Sequence, residues 1–404
     1  MLKIINRIKN YLFYLSILSV IIFSPCCSDD KIVNNSSKND EIYANMDIII
    51  KKCITDYKIP GMVVYIVAPD KEFSYVKAFG FADKNSGSIL KTSDIFRIGS
   101  ITKTFTVTAL LQLVDEGKIQ LDDKLNKYLP DYPNAKNVTI SQLCNMTSGI
   151  YNYAETTEFA NTIISNPNGY LAPDDLINFT TSYSYYFTPG TDYYYSNTNT
   201  IIIGKIIEIL TGDSLENQIN KRFLVKYGLI NTNFPTDKYL LGEHAHGYGS
   251  FIPGTGDMDV TDLYDVSWAW AAGAMTSNVY DLAVWVKYLA TGILVLPETQ
   301  LKRLEYVTLS QQYELKYGLG LMSAAGFIGH NGMLPGFQAI AVYSPQKNAT
   351  FIILMNMFFS DGTGIDPTSI FMILSNLVYD DLPWNSLSSK KITNNSHFKK
   401  YIRN

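Results

Sequence analysis

The amino-acid sequence predicts an α+β domain whose single antiparallel sheet is built from both ends of the chain. Near the start, residues 61–70 and 73–83 are rich in β-branched and aromatic residues and are separated by a short turn. Near the end, residues 336–357 repeat this hairpin pattern, with the turn at residues 345–348. The patterns between them are mainly helical. We therefore expect helices to flank the sheet and a central, mainly helical subdomain to be inserted between its two halves.

Helical periodicity supports this arrangement along the chain. It marks residues 46–57, a long apolar segment after Ser100, a second apolar segment that ends near residue 210, and a closing helix at residues 367–380. We place the folded domain at residues 45–384, and residues 385–404 form a polar tail that is expected to fray.

The segment that precedes the domain resembles an export signal. Residues 1–27 place basic side chains before the apolar stretch YLFYLSILSVIIF, which ends close to Cys26 and Cys27. A cysteine there resembles the processing site of bacterial lipoproteins, so we expect Cys26 or Cys27 to be lipidated and the domain to be held outside the cytoplasm, at a membrane of the cell envelope. A plain cleaved signal and an uncleaved anchor are the alternatives. Residues 28–44 are polar and are predicted to be a tether.

Composition narrows the possible partners. The chain has 33 basic and 37 acidic residues and a formal net charge of −4, which gives no support for a nucleic-acid partner. The remaining cysteines, Cys53 and Cys144, could pair in an exported protein, but both lie in apolar surroundings and we favour buried free thiols. Neither length nor composition predicts an oligomeric state.

Ser100 and Lys103 are the first candidate catalytic pair. Ser-x-x-Lys occurs seven times in this chain, so the spacing alone decides nothing. Only Ser100 opens a long apolar helix pattern, on which residues i and i+3 share a face. Burial would favour a neutral lysine that can act as a base. In the alternative, Ser100 only caps the helix and Lys103 extends to water.

Tyr195 and Asn197 form the second candidate group. The pattern Tyr-x-Asn occurs three times, but only Tyr195-Ser196-Asn197 lies where a loop meets an apolar helix and side chains can point into a cleft. A core aromatic is the alternative role for Tyr195.

The third candidate group is His330-Asn331-Gly332, which precedes the terminal hairpin pattern. Gly332 would allow the backbone to approach a ligand closely. The backbone N–H of Met333 could then hold an oxyanion together with the N–H of Ser100. A structural histidine is the alternative role for His330.

Together, the three groups resemble the serine β-lactamase and penicillin-binding-protein family, and the order of the motifs and their wide separations fit it. Connecting phrases such as VTISQLCNMTSGI and YGLGLM support the resemblance, which is closest to the class C-like branch with D-alanyl-D-alanine carboxypeptidases, D-aminopeptidases and esterases. It implies a β-lactamase/transpeptidase-like fold and acyl transfer without a cofactor.

The resemblance also implies roles for individual residues. Ser100 would be the acylated nucleophile, deprotonated with the help of Lys103, and Tyr195 would carry protons to the leaving group and from water. Since a phenol titrates at about 10, we expect the Lys103 charge to make Tyr195 a usable base. Asn197 would bind the acyl-side amide, and residues 330–333 would bind substrate.

One departure bears on the substrate. Many β-lactamases of this family have Lys-Thr-Gly where this chain has His330-Asn331-Gly332. Histidine is mostly uncharged at neutral pH, and Asn331 replaces a hydroxyl that would bind a substrate carboxylate. We therefore expect weak or no β-lactam turnover and activity on D-amino-acid peptides or esters. A penicillin-binding sensor with slow deacylation and an esterase of the same fold are the alternatives.

Two other features of the sequence each have a structural explanation beside a functional one. The tyrosines of the central segment, with Trp268 and Trp270, either line the cleft or only pack a helical subdomain. His244 and His246 are weak evidence for a metal site, because two histidines make an incomplete ligand set. We predict that they are surface histidines on a strand and that the chain has no metal site.

Overall fold

The computed structural model describes residues 38–251, 258–359 and 364–385. The predicted signal, its Cys26 and Cys27, and the tail beyond residue 385 lie outside these ranges. Within them, no helix combines the length and the apolar character that crossing a bilayer requires.

The described ranges contain the following helices, numbered in chain order: α1 Lys38–Tyr57, α2 Thr102–Asp115, α3 Ile140–Cys144, α4 Thr157–Ser165, α5 Pro173–Asn178, α6 Asn197–Thr211, α7 Leu215–Ile219, α8 Val225–Tyr227, α9 Trp270–Gly273, α10 Val279–Thr291, α11 Pro297–Arg303 and α12 Pro367–Val378. The strands are β1 Gly61–Ala68, β2 Phe73–Asp83, β3 Ser88–Ile89, β4 Phe96–Arg97, β5 Thr276–Ser277, β6 Val307–Ser310, β7 Leu315–Tyr317, β8 Met322–Ala324, β9 Phe327–Leu334, β10 Phe337–Ser344 and β11 Ala349–Met355.

The main sheet joins both ends of the chain, as predicted. In the described residues its strand order is β3-β2-β1-β11-β10-β9-β8-β7-β6. The N-terminal hairpin meets the C-terminal one where β1 pairs antiparallel with β11, with Met62 opposite Met355. The α+β prediction is therefore confirmed, and so is a central helical region inserted between the two hairpins.

Two layers of helices cover the sheet. On one face, Met46 and Ile50 of α1 and Phe371 of α12 belong to one buried apolar cluster with alternate residues of β1 and β11. On the other face, α2, α6 and α10 contribute to a second and larger cluster. Cys53 lies in the first cluster and Cys144 in the second, and both are free buried thiols, as expected.

Helix α1 corrects the predicted tether. The helix begins at Lys38, so residues 38–44 of the predicted polar tether 28–44 are helical. Ile42 and Tyr43 explain the difference, because both pack against the apolar cluster under α1. Tyr43 also places its ring 4.9 Å from that of Phe73. Two apolar contacts per turn are enough to extend an amphipathic helix into an otherwise polar sequence.

Candidate active site

Ser100 lies in a single 3-10 turn, Gly99–Ile101, that leads directly into α2. Ser100 is 5% exposed, and its turn packs against β9. Gly99 has a φ of +52°, in the left-handed region that glycine adopts without strain. The prediction that Ser100 lies at the start of a buried helix is confirmed. The structure adds one 3-10 turn before the first α-helical residue, Thr102.

Lys103 is fully buried and directly contacts Ser100. Its Nζ lies 2.9 Å from Ser100 Oγ, 2.8 Å from Asn197 Oδ1 and 2.7 Å from the carbonyl oxygen of Ala272. The alternative in which Lys103 extends to water is therefore wrong. Burial lowers the pKa of Lys103 well below its ordinary value.

These contacts orient the Lys103 lone pair. A neutral amine has two hydrogens and one lone pair, and Asn197 Oδ1 and the Ala272 carbonyl can only accept hydrogen bonds. They take the two hydrogens, so the lone pair points to the Ser100 hydroxyl. The geometry is that of a nucleophile hydrogen-bonded to a general base, which is in turn oriented by further groups.

Tyr195 lies beside this pair, with its ring centroid 5.0 Å from Lys103 Nζ. Its hydroxyl is buried and makes no hydrogen bond of standard geometry among the described residues. Burial raises the pKa of Tyr195 above its ordinary value, and the neighbouring Ser100 hydroxyl offsets this only in part. Our expectation that the Lys103 charge makes Tyr195 a base is wrong in this resting site. The phenol stays protonated, which suits it to donate a proton to a leaving group.

Asn197 begins α6 and is 7% exposed. Its backbone N–H donates to Asn152 Oδ1 over 3.2 Å, and its side-chain oxygen accepts from Lys103. Asn197 therefore orients the base, a role that we did not predict. The predicted contact with the acyl-side amide stays a prediction, for which the Nδ2 group is the available donor.

His330 lies inside β9, whereas the sequence placed it before the hairpin. Its ring is 1% exposed and its centroid lies 6.1 Å from that of Tyr195. Nδ1 is 2.5 Å from the carbonyl oxygen of Asn331, and Nε2 is 3.3 Å from the hydroxyl of Tyr317. Burial, with a smaller effect from Lys103 whenever that amine is protonated, lowers the pKa of His330 to about 3. His330 is therefore neutral at physiological pH, in agreement with the sequence argument.

Gly332 lies against the Ser100 turn. A Cβ on Gly332 would lie 1.9 Å from the carbonyl oxygen of Ile98 and 2.9 Å from the backbone nitrogen of Ser100, so no larger residue fits. A Cβ on Gly99 would lie 2.4 Å from the backbone nitrogen of Met333. The backbone amides of Ser100 and Met333, our predicted oxyanion donors, thus belong to two segments in direct contact.

Asn331 points to the other face of β9. Its Nδ2 lies 3.4 Å from Thr368 Oγ1 at the start of α12. Successive strand residues alternate between faces, so Asn331 and His330 cannot share one surface. The structure therefore does not support the predicted role of Asn331 in binding substrate, because its side chain lies on the face of β9 opposite to His330, Tyr195 and Lys103.

The outer edge of β9 is open beside Ser100. Strand β8 pairs with β9 only from Phe327 to Gly329, which leaves residues 330–334 without a β8 partner. The Ser100 turn contacts β9. An extended substrate can align with such an edge through backbone hydrogen bonds.

The tyrosines of the central segment pack against each other. The ring of Tyr151 stacks on Tyr183 at 4.5 Å and on Tyr186 at 4.7 Å, and Tyr186 stacks on Tyr194 at 3.8 Å. The hydroxyls of Tyr186 and Tyr194 donate to the buried carboxylate of Glu155. Trp268 and Trp270 are also buried. These contacts favour the packing alternative over a cleft lined by free aromatic faces.

His244 and His246 have different surroundings from those we predicted. They lie in an irregular loop, and His246 Nδ1 is 2.8 Å from Asp259 Oδ2. Ligand atoms of Asp83, His246 and Asp259 lie within 4.8 Å of one another, so carboxylates unseen in the local sequence do approach this histidine. Asp83 and Asp259 also accept hydrogen bonds from their own turns, which gives both a structural role.

The neutral state of His330 predicts a pH-dependent stability. The folded pKa is about 3 and the unfolded one about 6.5, so the unfolded chain binds the extra proton as the pH falls below 6.5. From pH 7 to pH 5 this group should cost about 2 kcal/mol of folding free energy. Urea unfolding should therefore show a smaller loss over this range for His330→Gln than for the wild type. Equal losses in the two proteins would contradict a buried neutral His330.

Two contributors to the site were missed from the sequence. Tyr317 contacts His330, but in the sequence its phrase YGLGLM supports only the family resemblance and indicates no role for Tyr317. The Ala272 carbonyl contacts Lys103 and has no side-chain signature, since any residue offers a carbonyl.

Comparison with known proteins identifies the family. The β-lactamase family model matches residues 46–371. The Bacillus subtilis (strain 168) protein PbpX, named a penicillin-binding protein, is 26% identical over 300 residues, which cover 74% of this chain and 71% of PbpX. Protein flp of Staphylococcus aureus (strain MW2) is 26% identical over 322 residues, and the match spans 62% of its length and 77% of this chain.

A solved structure has the same architecture. The D-stereospecific amidohydrolase from a Streptomyces species superposes with a TM-score of 0.71 and 28% identity, covering 80% of this chain and 97% of the other. With a family match over most of the domain, a shared fold and a serine hydrogen-bonded to a buried lysine, this chain belongs to the β-lactamase family and is a serine hydrolase of that family.

Proposed function

We propose that the chain hydrolyses amide and ester bonds of D-amino-acid compounds, such as D-alanyl amides and esters, through an acyl-enzyme on Ser100. The contact that carries the proposal is the 2.9 Å hydrogen bond between Ser100 Oγ and the Nζ of a fully buried Lys103. A buried lysine with a structural role is usually one half of an ion pair, and no carboxylate is among the partners described for Lys103. The position of this amine is therefore better explained by a catalytic role.

Acylation follows from the positions of these groups. Lys103 takes the Ser100 proton as Oγ bonds to the substrate carbonyl carbon, and the amides of Ser100 and Met333 stabilise the oxyanion. When the intermediate collapses, the carbon–nitrogen or carbon–oxygen bond breaks and the Tyr195 hydroxyl protonates the leaving group. The Lys103 ammonium then returns a proton to Tyr195.

Deacylation uses the same groups in reverse order. A water molecule gives its proton to the Tyr195–Lys103 pair as its oxygen attacks the ester carbon. The carbon–Oγ bond then breaks and Ser100 recovers its proton. The open edge of β9 is the natural place for the extended acyl chain, with its carbonyl at the Ser100 turn.

Two observations favour D-amino-acid substrates over β-lactams. The Streptomyces structure, at 28% identity, is named a D-stereospecific amidohydrolase. His330 is neutral and buried where many β-lactamases have a lysine, so a β-lactam carboxylate gains no charge partner there.

The test is a substrate panel on the purified domain. We expect turnover of D-amino-acid amides or p-nitrophenyl esters, and nitrocefin hydrolysis at least ~10-fold slower, the scale that a lost charge-assisted contact sets. Efficient nitrocefin hydrolysis that His330→Gln leaves unaltered would overturn the substrate assignment. Fluorescent penicillin bound persistently without turnover of any compound would instead indicate a sensor, and turnover restricted to esters would indicate an esterase.

We also propose that the protein is exported and carries a lipid on Cys26 or Cys27. The support is the order of basic, apolar and cysteine residues in the first 27 residues. Metabolic labelling with radioactive palmitate should mark the full chain and fail for the double variant Cys26→Ser/Cys27→Ser. Labelling that survives both changes would contradict the anchor.

A further inference from the structure

We propose that Tyr317 is a positioning residue that holds His330 with both ring nitrogens occupied, and that this makes the enzyme selective for leaving groups without a carboxylate. The inference rests on the proposed function, since it concerns which bonds of D-amino-acid compounds are cleaved. It assigns a role to a side chain that takes no direct part in the acyl-transfer steps.

The hydrogen bonds fix the tautomer of His330. A backbone carbonyl only accepts hydrogen bonds, so the 2.5 Å contact between Nδ1 and the Asn331 oxygen places the ring proton on Nδ1. Nε2 then carries the lone pair, and the Tyr317 hydroxyl, 3.3 Å away, is its donor. Neither nitrogen is left to bind a substrate group.

Aromatic packing keeps Tyr317 in this position. Its side chain is fully buried in β7, and its ring meets the ring of Tyr195 edge-on at 6.1 Å and that of His330 edge-on at 5.8 Å. Tyr193 packs against Tyr317 on another side, with ring centroids 5.7 Å apart. The hydroxyl of Tyr193 is buried without a hydrogen-bond partner among the described residues.

Among the described residues, the groups that face His330 supply no cation that is free to bind a substrate. Lys103 faces it from α2, Tyr195 from the loop before α6 and Tyr317 from β7. Lys103 is the one basic side chain that acts electrostatically on His330 in the described part of the chain, and its Nζ already has three oxygen partners.

Among the described residues, two further cationic side chains are buried, and both are directed elsewhere. Arg97 donates to the backbone carbonyl of Thr261, and Arg303 donates to the hydroxyl of Thr108. A leaving group protonated by Tyr195 lies next to His330, so a carboxylate on it would enter a neutral, largely desolvated region. An unpaired charge is costly there, whereas a carboxamide of the same shape is tolerated.

A matched pair of substrates tests the inference. The D-alanyl anilides of 4-aminobenzoate and 4-aminobenzamide have the same scissile bond and differ in the charge of the leaving group. We expect the wild type to cleave the benzamide compound with a kcat/KM at least ~10-fold higher, the scale of one lost charge partner.

Two conservative variants separate positioning from packing. Tyr317→Phe removes the hydroxyl that donates to Nε2, so His330 can bind a proton when a carboxylate is present. The benzamide-to-benzoate ratio should then fall at least ~3-fold, and further toward pH 5, where an imidazole is more readily protonated. Tyr193→Phe removes a hydroxyl from the same aromatic cluster without touching His330 and should keep the wild-type ratio. A general loss of packing would change both rates together and leave the ratio alone.

The outcomes are distinct. A wild-type ratio near one, or an unchanged ratio in Tyr317→Phe, overturns this inference even if both anilides acylate Ser100. If neither anilide and no other D-amino-acid compound acylates Ser100, the proposed function fails and this inference fails with it.

Discussion

Replacing Lys103 with methionine should lower kcat/KM by about 10³-fold, within the range for loss of a general base. The side chain keeps its length and packing, but Ser100 loses the amine that takes its proton. The effect should fall on acylation, so the burst of the first product should disappear rather than become smaller. Stopped-flow measurement of product release on a fast ester substrate provides the readout.

Lys205→Met is the matched control for this change. Lys205 lies on α6, and its Nζ binds Asp174 at 2.9 Å, with 27% of its side chain exposed. Removing it deletes a lysine from a helix of the same subdomain without touching the Ser100 site, so kcat/KM should stay within about twofold, as for ordinary surface changes. If Lys103→Met behaved like this control, Lys103 would not be the base.

Replacing Gly332 with alanine should lower kcat/KM at least ~100-fold, the scale for loss of an oxyanion donor. The new methyl would overlap the Ile98 carbonyl at 1.9 Å, so β9 and the Ser100 turn must move apart. This separates the Met333 amide from the Ser100 amide while leaving both chemically intact. The loss should appear in kcat at a temperature where circular dichroism shows that the variant is folded.

Gly326→Ala distinguishes this effect from general strain in the hairpin. Gly326 lies in the turn before β9 at a φ of +79°, so alanine is strained there, yet the nearest atom to its Cβ would be 3.6 Å away. The variant should lose stability but retain kcat. An equal fall of kcat in both variants would contradict the idea that Gly332 sets the distance between the two amides.

The hairpins at both ends of the sheet were predictable because their signals are local. Residues 61–83 and 336–357 have long runs of β-forming residues with turn residues between them. Strands β6 to β8 were not predicted, since they have only three or four residues each and β6 is only partly buried. Such short strands form because a neighbouring strand is already present, which local patterns cannot indicate.

The Ser100–Lys103 pair could be predicted because helix geometry converts a spacing of three into contact. The Ala272 carbonyl and the Tyr317 hydroxyl reach the site from segments far along the chain, so only the tertiary fold reveals them. For the same reason, the sequence does not predict that Asp83 and Asp259 lie beside His246.

The protonation of Tyr195 shows a different limit of sequence reasoning. Proximity to Lys103 was predicted correctly, but the expected consequence had the wrong sign. Burial raises the pKa of Tyr195 and lowers that of Lys103, so both groups favour their neutral forms. Desolvation depends on all the atoms that pack around a group, and the spacing of residues along the chain does not reveal which atoms those are.

Intact-mass spectrometry of the domain mixed with a D-alanyl ester tests the central claim most directly. We predict a transient adduct with the mass of one acyl group, located on Ser100 by peptide mapping, which decays as free acid appears and is absent in Ser100→Ala. Full hydrolytic activity in Ser100→Ala, or an adduct located on another residue, would contradict the account.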